Sequence, residues 1–473
     1  MGYDVEEETE EETLLREGIR MRQEYRSNNQ IINGVIWKQL LIFFFPIMVG
    51  TLVQQLYNTV DAVIVGRFVG KEALAGVGGS AAMVCSLVLG FFTGRSAGAT
   101  VIISQFYGAE DRENLHKSLH TAYALCVLFS VVLMAAGWVL TPWLLELMQT
   151  PAEILNDSVA YLRIYFLGIS GMLIYNMGSA IMRAVGDSRR PLYFLILCCV
   201  MNVVLDVLLV VGFDMGVAGV AVATILAQGV SAALVTRSLM VSYEGLKLEP
   251  RRIRLDSVKL RAQLRVGMPS GLQAAMYGVT NMVIQAAING FGTDTVAAWA
   301  AYGKIDAVFW AVMGAFGVSI TTFTGQNYGA GRYDRVFRSV NVCLLMGFAA
   351  CGGLIVLLIT FCRTLFGIFC PDMAVVDIGV YMLTTMMPSY ILFVFIEVYS
   401  GALRGLSDVF IPTIITLSGV IFIRIPMVFF VVPKFPSLFT VMMSYPISWA
   451  VTVGLFIPYY MYRKRKILRG SAG

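Results

Sequence analysis

The sequence predicts an all-α integral membrane protein, with twelve transmembrane helices in two parallel-repeat lobes of six helices each. Three observations lead to this fold class. The 473 residues are 58% hydrophobic and only 14% charged, whereas soluble domains carry about 25% charged residues. The apolar residues fall into long runs, and about 20 residues suffice to cross roughly 30 Å of hydrocarbon. Finally, motifs in the first half of the chain recur in the second half.

The apolar runs are predicted to be helices and not the strands of a barrel. In hydrocarbon every backbone polar group must find its partner within the protein, so only helices and closed barrels cross a bilayer. The runs are continuous and lack the alternation that barrel strands show. The twelve predicted spans are 39–64, 73–105, 119–141, 159–183, 191–212, 216–239, 266–289, 296–324, 338–361, 378–403, 410–432 and 438–461.

The repeat holds one offset across separated motifs. The sequence Gln-Phe-Tyr-Gly-Ala at 105–109 recurs as Gln-Asn-Tyr-Gly-Ala at 326–330, which is 221 positions later. The segment 179–183 matches 400–404 at the same offset. Each half holds six spans, an even number, so both halves enter the membrane in the same direction. Two such lobes with a cleft between them are typical of alternating-access transporters.

Lysine and arginine are concentrated in the segments that would face one side, and this bias predicts that both termini are cytoplasmic. The basic excess therefore reports topology, and we expect no nucleic-acid partner. The expected division is a cytoplasmic tail (1–36), an N-lobe (37–240), a basic inter-lobe loop (241–262), a C-lobe (263–462) and a basic tail (463–473). We expect a monomer in the plasma or inner membrane of the cell, with the lipid bilayer and a small-molecule substrate as its partners.

Enzymatic and nucleotide-driven functions are not expected. The segment Gly66–Lys71 places three residues between its glycines where a phosphate-binding loop needs four, and no Ser or Thr follows the lysine. The eight cysteines form no Cys-x-x-Cys pair and are expected to be small buried side chains. No catalytic constellation is evident and no cofactor is implied. Ion gradients remain as the source of energy.

Intramembrane carboxylates are the candidates for ion coupling, because a charged side chain in hydrocarbon costs at least ~2.5–3.5 kcal/mol. At 1.5 Å per residue, Asp61 and Asp206 lie roughly 6 and 9 Å below the outer ends of spans 1 and 5. Asn202 shares a helix face with Asp206 at i, i+4. Thr224 in span 6 and Tyr161 in span 4 lie in the same stratum by the same estimate.

This oxygen-rich group of the N-lobe suits a hard cation such as Na⁺. Two close carboxylates also suit proton carriage. The alternative is that each polar group simply bonds a neighbouring helix. A second candidate pair is Glu397 and Asn176, which occupy equivalent positions of the repeat. For Glu397, an ion pair with Arg404 or Lys304 and a role in substrate binding or coupling remain open.

The motifs together resemble the multidrug and toxic-compound extrusion (MATE) transporters. The resemblance is carried by Pro46, by Gln55-Leu-Tyr-Asn-Thr-Val-Asp61, by the repeated motif at 105–109, and by Arg183-Ala-Val-Gly-Asp187. It extends over residues ~37 to ~462. The family implies export of organic, often cationic and amphipathic compounds in exchange for H⁺ or Na⁺.

The resemblance also assigns residues. It implies a cation site made of Asp61, Asn202, Asp206 and Thr224, with Tyr161 in the same network, and a bend of helix 1 at Pro46. The sequence looks closer to the DinF-like than to the NorM-like branch. NorM-like members carry an acidic residue in helix 7 whereas residues 269–289 have none, so the expected coupling site is the one in the N-lobe. The alternative function is a flippase for lipid-linked saccharides, which shares the two-lobed plan and would need a large cationic cavity.

Overall fold

The computed structural model describes residues 29–243 and 246–470, and all regular structure in these two ranges is helical. We number the long helices α1–α12 in chain order. They are Ile36–Val69, Ala73–Gly108, Arg112–Leu147, Ala152–Leu167 with Ile169–Ala184, Arg189–Gly212, Gly216–Val241, Ser257–Asn289, Thr293–Gly329, Tyr333–Thr360, Met373–Gly405, Phe410–Val431 and Leu438–Gly470.

Ten of these helices are long and apolar enough to cross a membrane individually. Helix α4 becomes the eleventh when its two segments, which are bent by 50°, are counted as one span. Helix α7 completes the twelve. It has 33 residues but a less apolar sequence, since Arg261 and Arg265 lie in its first turns. The predicted all-helical fold is confirmed. The predicted N-terminal tail lies largely outside the described residues.

Each half of the chain packs around its own apolar core. One core is formed by residues between 81 and 248, with Leu119, Leu162 and Leu173 fully buried. The other is formed mainly by residues between 298 and 460, with Phe309 and Phe323 at its centre. Two separate cores allow each lobe to move as a body, because densely packed interiors resist deformation.

Helix α1 belongs to both lobes, and it changes partner at Pro46. Before the proline, the ring of Phe44 stacks on Phe316 of the C-lobe with centroids 4.3 Å apart. One turn after the proline, Gly50 packs against Leu192 and Leu195 of α5 in the N-lobe. Proline inside a helix removes one backbone hydrogen bond and permits a bend. Helix α1 therefore passes from one lobe to the other at the position where its backbone hydrogen bonding is interrupted.

Helix α7 makes the equivalent crossing in the opposite sense. Near its start, Gln263 Nε2 donates a 2.8 Å hydrogen bond to the carbonyl of Ser118 in the N-lobe. Near its end, Ile284 packs with Val428 in the C-lobe. Pro269 lies between these contacts. Helices α1 and α7 therefore each contact both lobes and join them.

Two equivalent hydrogen bonds join the two lobes at one end of the molecule. Gln105 of α2 donates a 2.7 Å hydrogen bond to the carbonyl of Gly405, which ends α10. Gln326 of α8 donates a 2.7 Å hydrogen bond to the carbonyl of Ala184, which ends α4. Both donors and both acceptors are 221 positions apart. We call this pair of bonds the glutamine latch.

The backbones of α2 and α8 also meet at the latch. A Cβ on Gly108 would lie 2.0 Å from the carbonyl oxygen of Gln326, and one on Gly329 would lie 2.0 Å from that of Gln105. Any larger residue at either glycine would push the lobes apart. The closed end therefore depends on glycine at these two positions.

Candidate functional site

The predicted cation site assembles in the N-lobe from helices α1 and α5. With its amide nitrogen facing the carboxylates, Asn202 donates to Asp61 Oδ1 at 2.8 Å and to Asp206 Oδ2 at 3.2 Å. Asp61 and Asp206 are themselves within hydrogen-bonding reach of each other. Asn202 and Asp206 are fully buried. The i, i+4 spacing of these two residues on α5 aims both side chains at α1.

Helix α6 supplies the hydroxyl of Thr224 on the same side of the site. Thr224 Oγ1 accepts a 3.5 Å hydrogen bond from the hydroxyl of Tyr57 and donates a 2.9 Å bond to the carbonyl of Val220. Tyr57 is also within hydrogen-bonding reach of Asp61. Sequence reasoning missed Tyr57. Its position one turn before Asp61 on the same face of α1 was the available signal.

Tyr161 of α4 lies close enough to both carboxylates to interact with them electrostatically. Within the described chain no hydrogen bond joins it to the four predicted cation ligands. Its ring packs instead with an apolar group of α1, α5 and α6 that includes Ile64, Val210 and Val217. Judged from the positions of its residues along the helices, this apolar group lies between the polar site and the end of the lobe that is nearer to the site. The site is therefore polar inside and capped by apolar side chains.

The chemistry of this group requires a proton or a cation. Two carboxylates in contact repel each other unless a positive charge or a shared proton lies between them. Oδ1 of Asp206 is buried and has no hydrogen-bond partner among the described residues. Carboxylate, amide and hydroxyl oxygens are ligands that hard cations prefer. The arrangement can hold either a proton or a small monovalent cation.

The C-lobe has no copy of this group. The repeat positions of Asp61 and Asp206 are Ile284 and Met427. Ile284 is buried in an apolar cluster with Ile288, Val428 and Val441. The Asp61–Asn202–Asp206 arrangement is therefore not repeated in the C-lobe, although the fold is duplicated.

A cavity of about 540 Å³ lies between the lobes and beside the glutamine latch. Helices α2, α4, α7, α8 and α10 supply its wall. The lining combines small apolar residues, hydroxyls, amides, a phenol and two arginines: Ser86, Leu89, Gly90, Thr93, Gly94, Ser96, Ala97, Thr100, Asn176, Ala180, Arg183, Ser270, Gln273, Ala274, Tyr277, Val318, Thr321 and Arg404. Such a volume suits a drug-sized molecule.

The two residues of the second candidate pair, Asn176 and Glu397, differ in their surroundings. Asn176 lines the cavity, and its amide donates a 2.8 Å hydrogen bond to the carbonyl of Met172. Glu397 is not among the lining residues. One of its oxygens lies where a Cβ on Gly317 would be. No ion pair to Arg404 or to the exposed Lys304 forms among the described residues, although Arg404 attracts Glu397 electrostatically.

Comparison with known proteins gives consistent matches to transporters. The family model described as MatE matches residues 46–208 and again residues 269–430. Over 450 residues, 92% of this chain and 96% of the relative, the chain is 26% identical to "Probable multidrug resistance protein YoeA" of Bacillus subtilis. Over 304 residues, 64% of this chain and 67% of the relative, it is 32% identical to "Probable multidrug resistance protein YpnP" of the same organism.

The fold has counterparts among solved structures. It aligns with "Crystal structure of MATE in the bent conformation" at a TM-score of 0.87 and 21% identity, covering 94% of this chain and 99% of that chain. The family model matches twice at nearly the spacing of the repeat, and each match begins at one of the helix prolines, Pro46 and Pro269.

Proposed function

This chain belongs to the MatE family and is a multi-pass membrane transporter, and we propose that it exports small organic molecules in exchange for H⁺ or Na⁺. The observation that carries the proposal is Asn202 bridging the buried carboxylates of Asp61 and Asp206. Such a group is expensive to place in a membrane protein. Uptake of a cation from the medium would relieve the repulsion between the two carboxylates.

The proposed cycle links this site to the cavity through α1. In the state that is open to the outside, Asp61 and Asp206 take up a proton or Na⁺. Neutralisation of the pair rearranges α1 about Pro46, because Asp61 lies on the N-lobe half of that helix. The rearrangement weakens substrate binding in the cavity, so the substrate leaves outward. The cation is released inward later, when the lobes have rocked.

The distribution of basic residues supports placing both termini and the glutamine latch on the cytoplasmic side. The latch then closes the inner gate, with the N-lobe (37–240), the basic loop (241–262) and the C-lobe (263–462) disposed as the sequence predicts. We also assign the chain to the DinF-like branch, since residues 269–289 of α7 contain no acidic residue. We expect it to act as a monomer in the plasma membrane.

The resemblance suggests organic, often cationic and amphipathic substrates. The cavity supports the amphipathic part, since apolar side chains alternate with amides, hydroxyls and the phenol of Tyr277. Its described lining supplies no carboxylate for a cationic group. The alternative, a flippase for lipid-linked saccharides, is favoured by the two arginines of the lining, but a volume of about 540 Å³ favours a drug-sized molecule.

Transport by purified protein in proteoliposomes tests the proposal. Na⁺ and pH gradients are imposed separately, and movement of a small panel of cationic and zwitterionic dyes is followed by fluorescence. We expect movement against the dye gradient under one of the two ion gradients, which identifies the coupling ion. Dye movement that is identical with and without both gradients would contradict cation coupling.

A further inference from the structure

We propose that the substrates of this transporter carry an anionic group, a carboxylate or a phosphate ester, which binds between Arg183 of the N-lobe and Arg404 of the C-lobe. The inference rests on the proposed function and names the substrate class of the same cavity. Both arginines line that cavity. They are equivalent in the repeat, being 221 positions apart, and each lies in the last turn of its helix.

Neither guanidinium group forms an ion pair with a described residue. Among the described residues, no carboxylate lies within 4 Å of either arginine. Buried Nε of Arg404 has no hydrogen-bond partner there. Both arginines are half-buried, and a charge that loses part of its hydration inside a protein is normally compensated by a partner. Unpaired arginines that face a cavity therefore indicate that the partner is a ligand.

A structural role as helix caps does not account for them. Arginine near a helix C-terminus often donates to the last carbonyl groups. Here those carbonyls have other partners, because Ala184 accepts from Gln326 and Gly405 accepts from Gln105. The latch glutamines satisfy the helix ends, and this leaves the arginines beside them available to a ligand.

The charge around the cavity is positive overall. Glu397 lies seven residues before Arg404, about 10 Å along the helix axis, and attracts it without forming an ion pair. The equivalent neighbour of Arg183 is the neutral Asn176. The position equivalent to Glu397 therefore holds no carboxylate that could attract Arg183. A planar guanidinium matches both carboxylate and phosphate oxygens with two parallel hydrogen bonds.

Such a ligand would also connect the substrate to the state of the transporter. The two arginines belong to different lobes, and each precedes a carbonyl acceptor of the latch. An anion held by both guanidinium groups adds attraction between the lobes at the end that the latch closes. Substrate binding would then favour the closed inner gate from which export proceeds.

Equilibrium binding to the purified full chain in detergent tests this with two matched pairs of fluorescent probes. Rhodamine 110 has a free carboxylate and rhodamine 123 is its methyl ester. Flavin mononucleotide has a phosphate that riboflavin lacks. We expect the member that carries the carboxylate or phosphate to bind at least tenfold more tightly than its partner in at least one pair, after subtraction of binding to empty micelles. The pair that shows the preference identifies carboxylate or phosphate.

The variants Arg183→Gln and Arg404→Gln should each remove most of this preference, while Arg338→Gln, an exposed arginine outside the cavity, should leave it unchanged. Equal binding within both pairs, tighter binding of the members that lack the anionic group, or no binding of any probe would overturn the inference. The comparison within each pair uses the wild-type protein, so the result does not depend on the folding of a variant. Gradient-driven dye transport without an anion preference would contradict this inference alone, and an anion preference without gradient-driven transport would contradict the proposed function alone.

Discussion

Gln105 and Gln326 hold the two lobes together by making the same bond twice. Each is the donor of a 2.7 Å hydrogen bond to the carbonyl that ends a helix of the other lobe, Gly405 for Gln105 and Ala184 for Gln326. The duplicated sequence thus becomes a symmetric contact across the lobe interface. In the proposed orientation it is the inner gate, and it must break in every transport cycle.

The first prediction concerns this latch. Gln105→Ala and Gln326→Ala should each weaken the closed gate by about 1 kcal/mol, since one hydrogen bond between neutral groups is lost. A cysteine at Ser104, which is fully buried beside the latch, should then be labelled about fivefold faster by a membrane-impermeant maleimide in inside-out vesicles. The background is a variant without the eight native cysteines.

This prediction requires that Gln105→Ala and Gln326→Ala increase the labelling rate to the same extent. The control is Gln285→Ala, whose side chain bonds only Asn289 at an exposed position. Faster labelling in one latch variant but not in the other would show that the two latch hydrogen bonds do not contribute equally to closing the gate. An unchanged rate in both would remove the latch from the transport cycle.

The second prediction concerns Pro46. Pro46→Ala should restore the missing backbone hydrogen bond and stiffen α1 where it passes from Phe44 and the C-lobe to Gly50 and the N-lobe. We expect the transport rate in proteoliposomes to fall at least tenfold while the protein remains folded. Pro142→Ala in α3, a helix interior proline remote from the lobe crossing, serves as the control. A wild-type rate in the Pro46 variant would exclude the hinge.

The third prediction concerns orientation. With the inner side assigned from the basic residues, a cysteine at Arg254 should be protected from an impermeant maleimide in intact cells and labelled only after permeabilisation. A cysteine at Arg363, whose side chain is exposed and paired with Asp377, should be labelled in intact cells. The reverse pattern would invert the topology and place the latch at the outer gate.

The fold and the proximity of the candidate site residues were largely accessible from the sequence, because both depend on local signals. Length and hydropathy define the spans, and a constant offset defines the repeat. Asp61, Asn202 and Asp206 were brought together by depth estimates and helix spacing alone. The structure places the amide nitrogen of Asn202 within 3.2 Å of an oxygen of each carboxylate. Tyr57 was missed because its rotamer, and not only its face, decides that it reaches Thr224.

Other features could not be obtained from the sequence, since they arise from contacts between distant segments. The sequence alone identified Arg183 only as part of a family motif and Arg404 only as a possible partner of Glu397, and only the packing of the lobes shows that they line one cavity. The repeat made Gln105 and Gln326 recognisable as equivalent. It did not show that each bonds the other lobe. Nor did the sequence show that the carboxylate of Glu397 lies against Gly317.

The most direct test of the account is dye efflux by Asp61→Asn and Asp206→Asn proteins under the ion gradient that drives the wild type. Asparagine keeps the size of the side chain and removes the charge that must be neutralised, so both variants should fold. We expect gradient-driven efflux to fall to the level of protein-free liposomes in both, while Asp377→Asn, an exposed carboxylate, retains the wild-type rate. Wild-type efflux by both folded site variants would contradict coupling at the Asp61–Asn202–Asp206 group.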